Sequence, residues 1–286
     1  MKVRQTLLAY ALLLPGLGLI LVFMAFVLGM AISQSLGFFN FSGESGFSLR
    51  FWETMLADHQ LWRSFWYSLR VATLSAILSV LLAYPLALWL RKPFAWSGTI
   101  SALLKAPLLV HGLVAAFLYI NFISFQGFLN LALVSTGLIE RPLRMQNDAN
   151  GIGVIFLQVW KQMPFALLLL TGAVQAIGDD ILDAARDLGA NAWQRFRKVV
   201  VPLTLRAMQG AIILIFIGAA GDFSFQVVAG PTNVNSLSQF MYRIQETSVD
   251  GWNSAAVVAV LLMATALVGS VLLAGAVQLL SRLGRA

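Results

Sequence analysis

The chain has 286 residues, of which 59% are hydrophobic and 11% are Asp, Glu, Lys or Arg, with a formal net charge of +7. A soluble domain carries about 25% charged residues, so a water-covered globular surface is excluded and an all-α integral membrane protein is expected. The basic residues sit at the ends of apolar blocks rather than along one solvated face, which argues against nucleic acid as a partner. Having no cysteine excludes thiol catalysis, disulfides and cysteine-held metal, and His59 and His111 are too few and too separated for a histidine metal site.

The apolar blocks are long enough to cross a hydrocarbon core of about 30 Å. Six spans are expected, at residues 7–32, 65–90, 100–125, 152–177, 207–228 and 254–280. The first block is far longer than the roughly 7–15 residues of a secretion-signal core, so it reads as a span and not as a cleaved leader. Pro85, Pro107 and Pro164 fall within the second, third and fourth spans and predict kinks there. After the first span, residues 34–64 hold Phe38, Phe39, Phe41, Phe51, Trp52 and Trp62, and a short interfacial helix is expected within 45–60. That loop reads either as a headgroup anchor or as a contact for a soluble partner.

Lysine and arginine set the orientation. One side holds eleven of them: Lys2, Arg4, Arg91, Lys92, Arg186, Arg195, Arg197, Lys198, Arg206, Arg282 and Arg285. The other holds Arg50, Arg63, Arg141, Arg144 and Arg243, with Arg70 near the boundary. Both termini are therefore expected in the cytoplasm.

Polar groups at membrane depth are costly unless paired or wetted, so they are candidates for the translocation path. They are Asn121 in the third span, Gln158 and Lys161 in the fourth, and Asp222 and Gln226 in the fifth, with Lys105 and Gln162 beside them. For Asp222 an ion pair with Lys161 or an inter-helix hydrogen bond stands beside the path-lining reading.

The longest hydrophilic stretch of the basic side joins the fourth and fifth spans, residues 177–205. Asp179 and Asp180 suit a helix N-terminus. Ile181, Leu182, Ala185 and Leu188 recur at helical spacing, and Gly189 can take the left-handed conformation that stops a helix. Asn191 then caps a second short helix over 192–199, with Trp193, Phe196 and Val200 as its apolar stripe, and Pro202 allows a fresh helix start. Two short surface helices joined by a sharp turn are expected. From the residues alone, this reads equally as an amphipathic loop on anionic lipid.

Asp183-Ala184-Ala185, three residues, Gly189, and then Val199-x-Val201-Pro202 resemble the EAA loop of ABC-importer permeases. That loop reads Glu-Ala-Ala, three residues, Gly, nine residues, Ile-x-Leu-Pro. Ala184, Ala185, Gly189 and Pro202 match it, Asp183 is one methylene shorter than the usual Glu, and Ala190, Trp193, Phe196 and Arg197 are also typical. The resemblance implies coupling helices between spans four and five that dock on a cytoplasmic ATPase. In that reading small Ala184 and Ala185 allow close approach, Gly189 sets the turn, and Asp183 offers a charge.

The resemblance further implies a single transmembrane permease domain over 1–286 with a core of about 64–281. Its partners would be a second homologous permease, two cytoplasmic ATP-binding subunits, a periplasmic solute-binding protein and membrane lipid, all in a bacterial inner membrane. Ser68-Leu69-Arg70, Gly221-Asp222-Phe223 and Val228-Ala-Gly-Pro231 are similar to the spermidine/putrescine-type group, so a polyamine-like or other charged organic solute is favoured. No Gly-x-x-x-x-Gly-Lys-Ser/Thr and no Ser/His/Asp set occurs. The chain is accordingly expected to have no catalytic site, metal or cofactor of its own, with ATP and Mg held by the partner ATPases. An ion-coupled secondary transporter is the alternative. It would need paired intramembrane carboxylates, and Asp222 stands alone.

Overall fold

The structure is a computed structural model that describes residues 2–41 and 43–283, with side chains described for 12–41 and 43–279. In chain order the helices are α1 (Lys2–Ser35), α2 (Arg50–Ala57), α3 (His59–Trp89), α4 (Ser97–Lys105), α5 (Gly112–Ile123), α6 (Phe128–Ser135) and α7 (Ile152–Gln175). They continue with α8 (Asp179–Asp187), α9 (Ala192–Arg195), α10 (Val201–Ala220), α11 (Ser224–Ala229), α12 (Leu237–Thr247) and α13 (Gly251–Leu283). A 3-10 turn, Ala106–Leu109, follows α4, and a π turn, Phe196–Val200, follows α9. No strand occurs among the described residues.

Six stretches are long and apolar enough to cross a membrane: Leu12–Ser35, His59–Trp89, Gly112–Ser135, Ile152–Gln175, Ala192–Ala220 and Gly251–Leu279. Helices are the required solution, because hydrocarbon offers no hydrogen-bond partner to an open backbone. The expected interfacial helix forms as α2, and Pro85 and Pro164 lie inside the continuous helices α3 and α7.

Two spans differ from expectation. The stretch 100–125 is not one helix: it breaks at Pro107, Val110 is extended, and the crossing is carried instead by α5 and α6. Proline lacks the N–H that would continue the ladder, and apolar residues on both sides of the break hide it from hydropathy. The fifth helix runs 201–220 rather than 207–228, stops at Gly221, and resumes as the short α11. Pro202 marks no fresh start, since α9, the π turn and α10 run on without a break.

The chain groups into two units. In the unit formed by 1–61 and 240–261, Asn253 donates to the carbonyls of Gln34 (2.8 Å) and Phe38 (3.2 Å), and Arg50 pairs with Asp250. The larger unit, 62–239 with 262–286, holds the main core. There α3 presents Ala72, Ala76, Ala83 and Ala87 to Leu167 and Leu170 of α7 and to Ile215 and Phe216 of α10. Alanines four apart line one face of a helix, and their small side chains let neighbouring backbones approach closely. The same tightness shows at Gly269 of α13, where a Cβ would fall 2.5 Å from the Phe216 ring.

Candidate functional site

The segment between α7 and α10 folds as a sharp elbow whose local chemistry is legible residue by residue. Asp179 and Asp180 occupy the first turn of α8, and Arg186 occupies its last. At the C-terminal end Gly189 is left-handed, with φ +81°. Its N–H bonds the Arg186 carbonyl (2.9 Å), and the Ala190 N–H reaches back to Ala185 (3.0 Å). These two bonds are those of a Schellman motif, which closes the orphan carbonyls of the helix end. Asn191 then starts α9 with a capping box: its side chain accepts from the Gln194 N–H (2.8 Å) and its own N–H bonds the Gln194 side chain (2.9 Å).

One side of the elbow faces the protein. Ile177, Val174 and Val200 are buried together, with Leu182 and Phe196 against them. Ala185 is half-buried, whereas Asp183 and Ala184 are exposed. On the outer side Leu188 is 89% exposed, Trp193 65% and Ile181 49%. Large apolar side chains uncovered on a loop that also carries Asp180, Asp183 and Asp187 form a surface that a protein groove with basic and apolar groups would complement. Trp193 stacks at a tilt on Phe196 (5.4 Å between centroids), and Phe196 meets Tyr84 edge-on at 5.7 Å.

The loop-side end of α3 grips the elbow at both ends. Arg91 donates to the Ile177 carbonyl (2.8 Å) and to the Asp179 carboxylate (2.8 Å), with Lys92 at 3.5 Å from the same carboxylate. The hydrogen bond from Arg91 and the charge of Lys92 hold the Asp179 carboxyl below its ordinary pKa. Gln175 donates to the Leu90 carbonyl at 3.3 Å. Across the π turn, the Tyr84 hydroxyl shares a 2.5 Å hydrogen bond with Thr204, which also donates to Val200.

The intramembrane polar residues serve several separate structures. Lys161 of α7 donates to the carbonyls of Pro107 (2.9 Å), Leu108 (3.1 Å) and Val110, the groups freed where the chain breaks after α4. It makes no ion pair with Asp222, the partner considered from sequence, because these carbonyls take its ammonium. Asp222 lies in the break between α10 and α11 and accepts from the Phe225 N–H (3.0 Å), while its own carbonyl accepts from Ser238 (2.7 Å). Gln226 is buried, accepting from the Tyr67 hydroxyl (2.9 Å) at its side chain and from Gln239 (2.9 Å) at its carbonyl. Gln158 is also buried, whereas Asn121 is exposed on α5 and donates to the Phe117 carbonyl (2.9 Å).

Sequence reasoning missed Tyr67, Tyr84, Thr204 and Asn130. Buried Asn130 fixes the loop after α6 through Leu143, accepting from its N–H and donating to its carbonyl, both at 2.9 Å. A tyrosine inside an apolar span is the signal that would have flagged Tyr67 and Tyr84, whereas Asn130 and Thr204 fall outside the expected spans.

Six apolar spans, tight small-residue packing and a polar elbow turned by glycine define a multi-pass helical membrane permease. The chain belongs to the family described as binding-protein-dependent transport system inner membrane component, which it matches over residues 12–283. The spermidine/putrescine transport system permease protein PotB of Haemophilus influenzae is 31% identical over 170 residues, 59% of this chain and 59% of that protein. PotB of Escherichia coli strain K12 is 28% identical over 200 residues, 70% of this chain and 72% of that protein. The trehalose transport system permease protein SugA of Mycobacterium tuberculosis strain H37Rv is 27% identical over 248 residues, 84% of this chain and 79% of that protein. In fold, the chain is similar to the crystal structure of a bacterial ABC transporter involved in import of the acidic polysaccharide alginate. The TM-score is 0.75 at 18% identity, covering 98% of this chain and 97% of that one.

Proposed function

We propose that the chain is one of two permease subunits of an ATP-driven bacterial importer and forms half of the path along which a small solute crosses the inner membrane. The observation that carries this is the elbow: a Schellman-closed, asparagine-capped turn that leaves Leu188, Trp193 and Asp183 bare in a protein whose family is binding-protein-dependent transport. In this reading α8 and the turn after it dock in a groove of a cytoplasmic ATPase. Asp183 supplies charge, Ala184 and Ala185 allow close approach, and Trp193 supplies an apolar anchor. Ala190 closes the turn, while Phe196 and Pro202 carry the motion into α10. Each of two ATP-binding subunits engages one permease, and a periplasmic binding protein delivers solute.

The chain acts as a single permease domain and has no catalytic site, metal or cofactor of its own, and ATP and Mg sit on the partners. Both termini lie in the cytoplasm, and lipid is the remaining partner. Because the chain lacks cysteine, single-cysteine labelling reads the orientation directly. A reagent confined to the outside that modifies Leu188→Cys would overturn it.

The solute favoured is a polyamine or another small charged organic molecule, on the likeness to two spermidine/putrescine permeases. Asn121 and Asp222 stand as candidates for the path, with Gln158, Lys161 and Gln226 behind them. The decisive experiment is ATP-dependent uptake of labelled spermidine and trehalose by proteoliposomes holding the permease pair, the ATPase and the binding protein. Deleting residues 183–189 abolishes uptake and stimulated ATP hydrolysis while membrane insertion continues. Transport that persists without the segment removes the coupling role. The ion-coupled alternative predicts uptake without ATP.

A further inference from the structure

The covalent chain ties α8 to α7 and α9 to α10, but nothing in the sequence links the elbow to α3. Ala176, Ile177 and Gly178 join α7 to α8, and the last of them, Gly178, is extended at φ −60° and ψ 146°, with no heavy atom within 4 Å of where its Cβ would be. Ile177 on one side of this joint is buried, and α8 on the other has no buried residue. A glycine with open space around it lets α8 swivel without dragging α7.

Arg91 spans that joint. It bonds the Ile177 carbonyl before Gly178 and the Asp179 carboxylate after it, both at 2.8 Å. Its side chain is 16% exposed against 58% for Asp179, so the guanidinium is held by packing and only the carboxylate is free to move. An isolated surface ion pair contributes little, but a planar guanidinium that engages a carbonyl and a carboxylate together fixes geometry as well as charge. Tyr84 repeats the attachment at the other end of the elbow, through Thr204 and Phe196.

We propose that Arg91 is a positioning residue that stiffens the Gly178 joint and makes α3 a third receiver of the elbow's motion, so that α3, α7 and α10 move together when α8 is displaced. This rests on the coupling role of the elbow. Without Arg91 the ATPase still docks on α8, but part of its stroke is absorbed by rotation at Gly178, and hydrolysis continues with less solute moved.

The test uses the complete transporter in proteoliposomes and reads two quantities: ATPase retained on purification, and solute imported per ATP hydrolysed. Arg91→Ala keeps the ATPase bound and lowers import per ATP by about fivefold or more, the low end of typical coupling between sites. Arg91→Lys retains most of the ratio. Adding Gly178→Ala to Arg91→Ala restores at least half of it, because alanine accepts this backbone and narrows its range. A merely structural role for Arg91 predicts no such rescue.

An unchanged ratio in Arg91→Ala overturns the proposal. If that variant fails to reach the membrane, Asp179→Ala takes its place, and an unchanged ratio there overturns it equally. The two readings fail separately. If deletion of 183–189 stops import while Arg91→Ala leaves it intact, only the clamp is wrong. If the deletion leaves import intact, the elbow's coupling role falls and the clamp with it.

Discussion

Substitution of Gly189 isolates the turn of the elbow from everything around it. The residue sits at φ +81°, and a Cβ added there meets nothing within 4 Å, so the effect of a side chain is confined to the backbone. An L residue in the left-handed region costs about 1–2 kcal/mol, which lowers the population holding the turn by a factor of roughly 5–30. Asparagine tolerates the conformation best after glycine, alanine less well, and a β-branched valine worst. Proline adds a second loss, since it fixes φ near −65° and removes the N–H that bonds the Arg186 carbonyl at 2.9 Å. Uptake and stimulated ATP hydrolysis in proteoliposomes should therefore fall in the order glycine, Asn, Ala, Val, Pro, while the amount inserted in the membrane stays level. Import at the wild-type rate by Gly189→Val or Gly189→Pro would refute the reasoning, since neither holds the turn that presents Leu188 and Trp193.

Other consequences concern the interior. Gly269→Ala drives a methyl to within 2.5 Å of the fully buried Phe216 ring and destabilises the helix bundle by about 1–3 kcal/mol. A lower melting temperature in detergent, partly recovered by adding Phe216→Leu, is the expected result, and an unshifted melt refutes it. Lys161→Met strips the donor from the Pro107, Leu108 and Val110 carbonyls and costs about 1–3 kcal/mol; equal thermal stability of the variant would show that those carbonyls find other partners. Asp222→Asn keeps an oxygen to accept the Phe225 N–H, so stability stays near wild type, whereas Asp222→Ala loses about 1 kcal/mol. A large change in solute affinity with Asn instead identifies a path-facing carboxylate.

The Arg91 contact also carries a sign for pH. The Asp179 pKa is lowered, so its contribution is complete above the unfolded value of roughly 3.9 and disappears only as pH falls through the folded value below that. The contribution of this contact to import per ATP should consequently stay constant between pH 5 and 8. An Asp179→Asn variant whose ratio diverges from wild type as pH changes across that range would contradict it.

Much of the elbow was readable in one dimension because its determinants are local. The acid-first α8, the left-handed Gly189 and the Asn191 cap each depend on residues within five positions of one another, and all three form as the composition indicates. Six apolar spans were likewise legible, since a stretch long enough to cross hydrocarbon must be helical whatever surrounds it. A kink at Pro107 was legible from the proline, but the bounds of the third span and the break at Gly221 were not, because apolar residues continue through both and average hydropathy does not register them.

What the sequence by itself determined is therefore the class of protein, the count of spans and the shape of the loop between the fourth and fifth, all of them properties of contiguous segments. Only the tertiary structure decided which polar groups meet. Lys161 turns to three carbonyls 51 to 54 residues away instead of to Asp222, Tyr67 reaches Gln226 across 159, and Arg91 closes over Gly178 from 86 residues upstream of Ile177. Side chains buried in a low-dielectric bundle must find a partner within hydrogen-bond reach, and which partner lies within reach is set by helix packing rather than by distance along the chain.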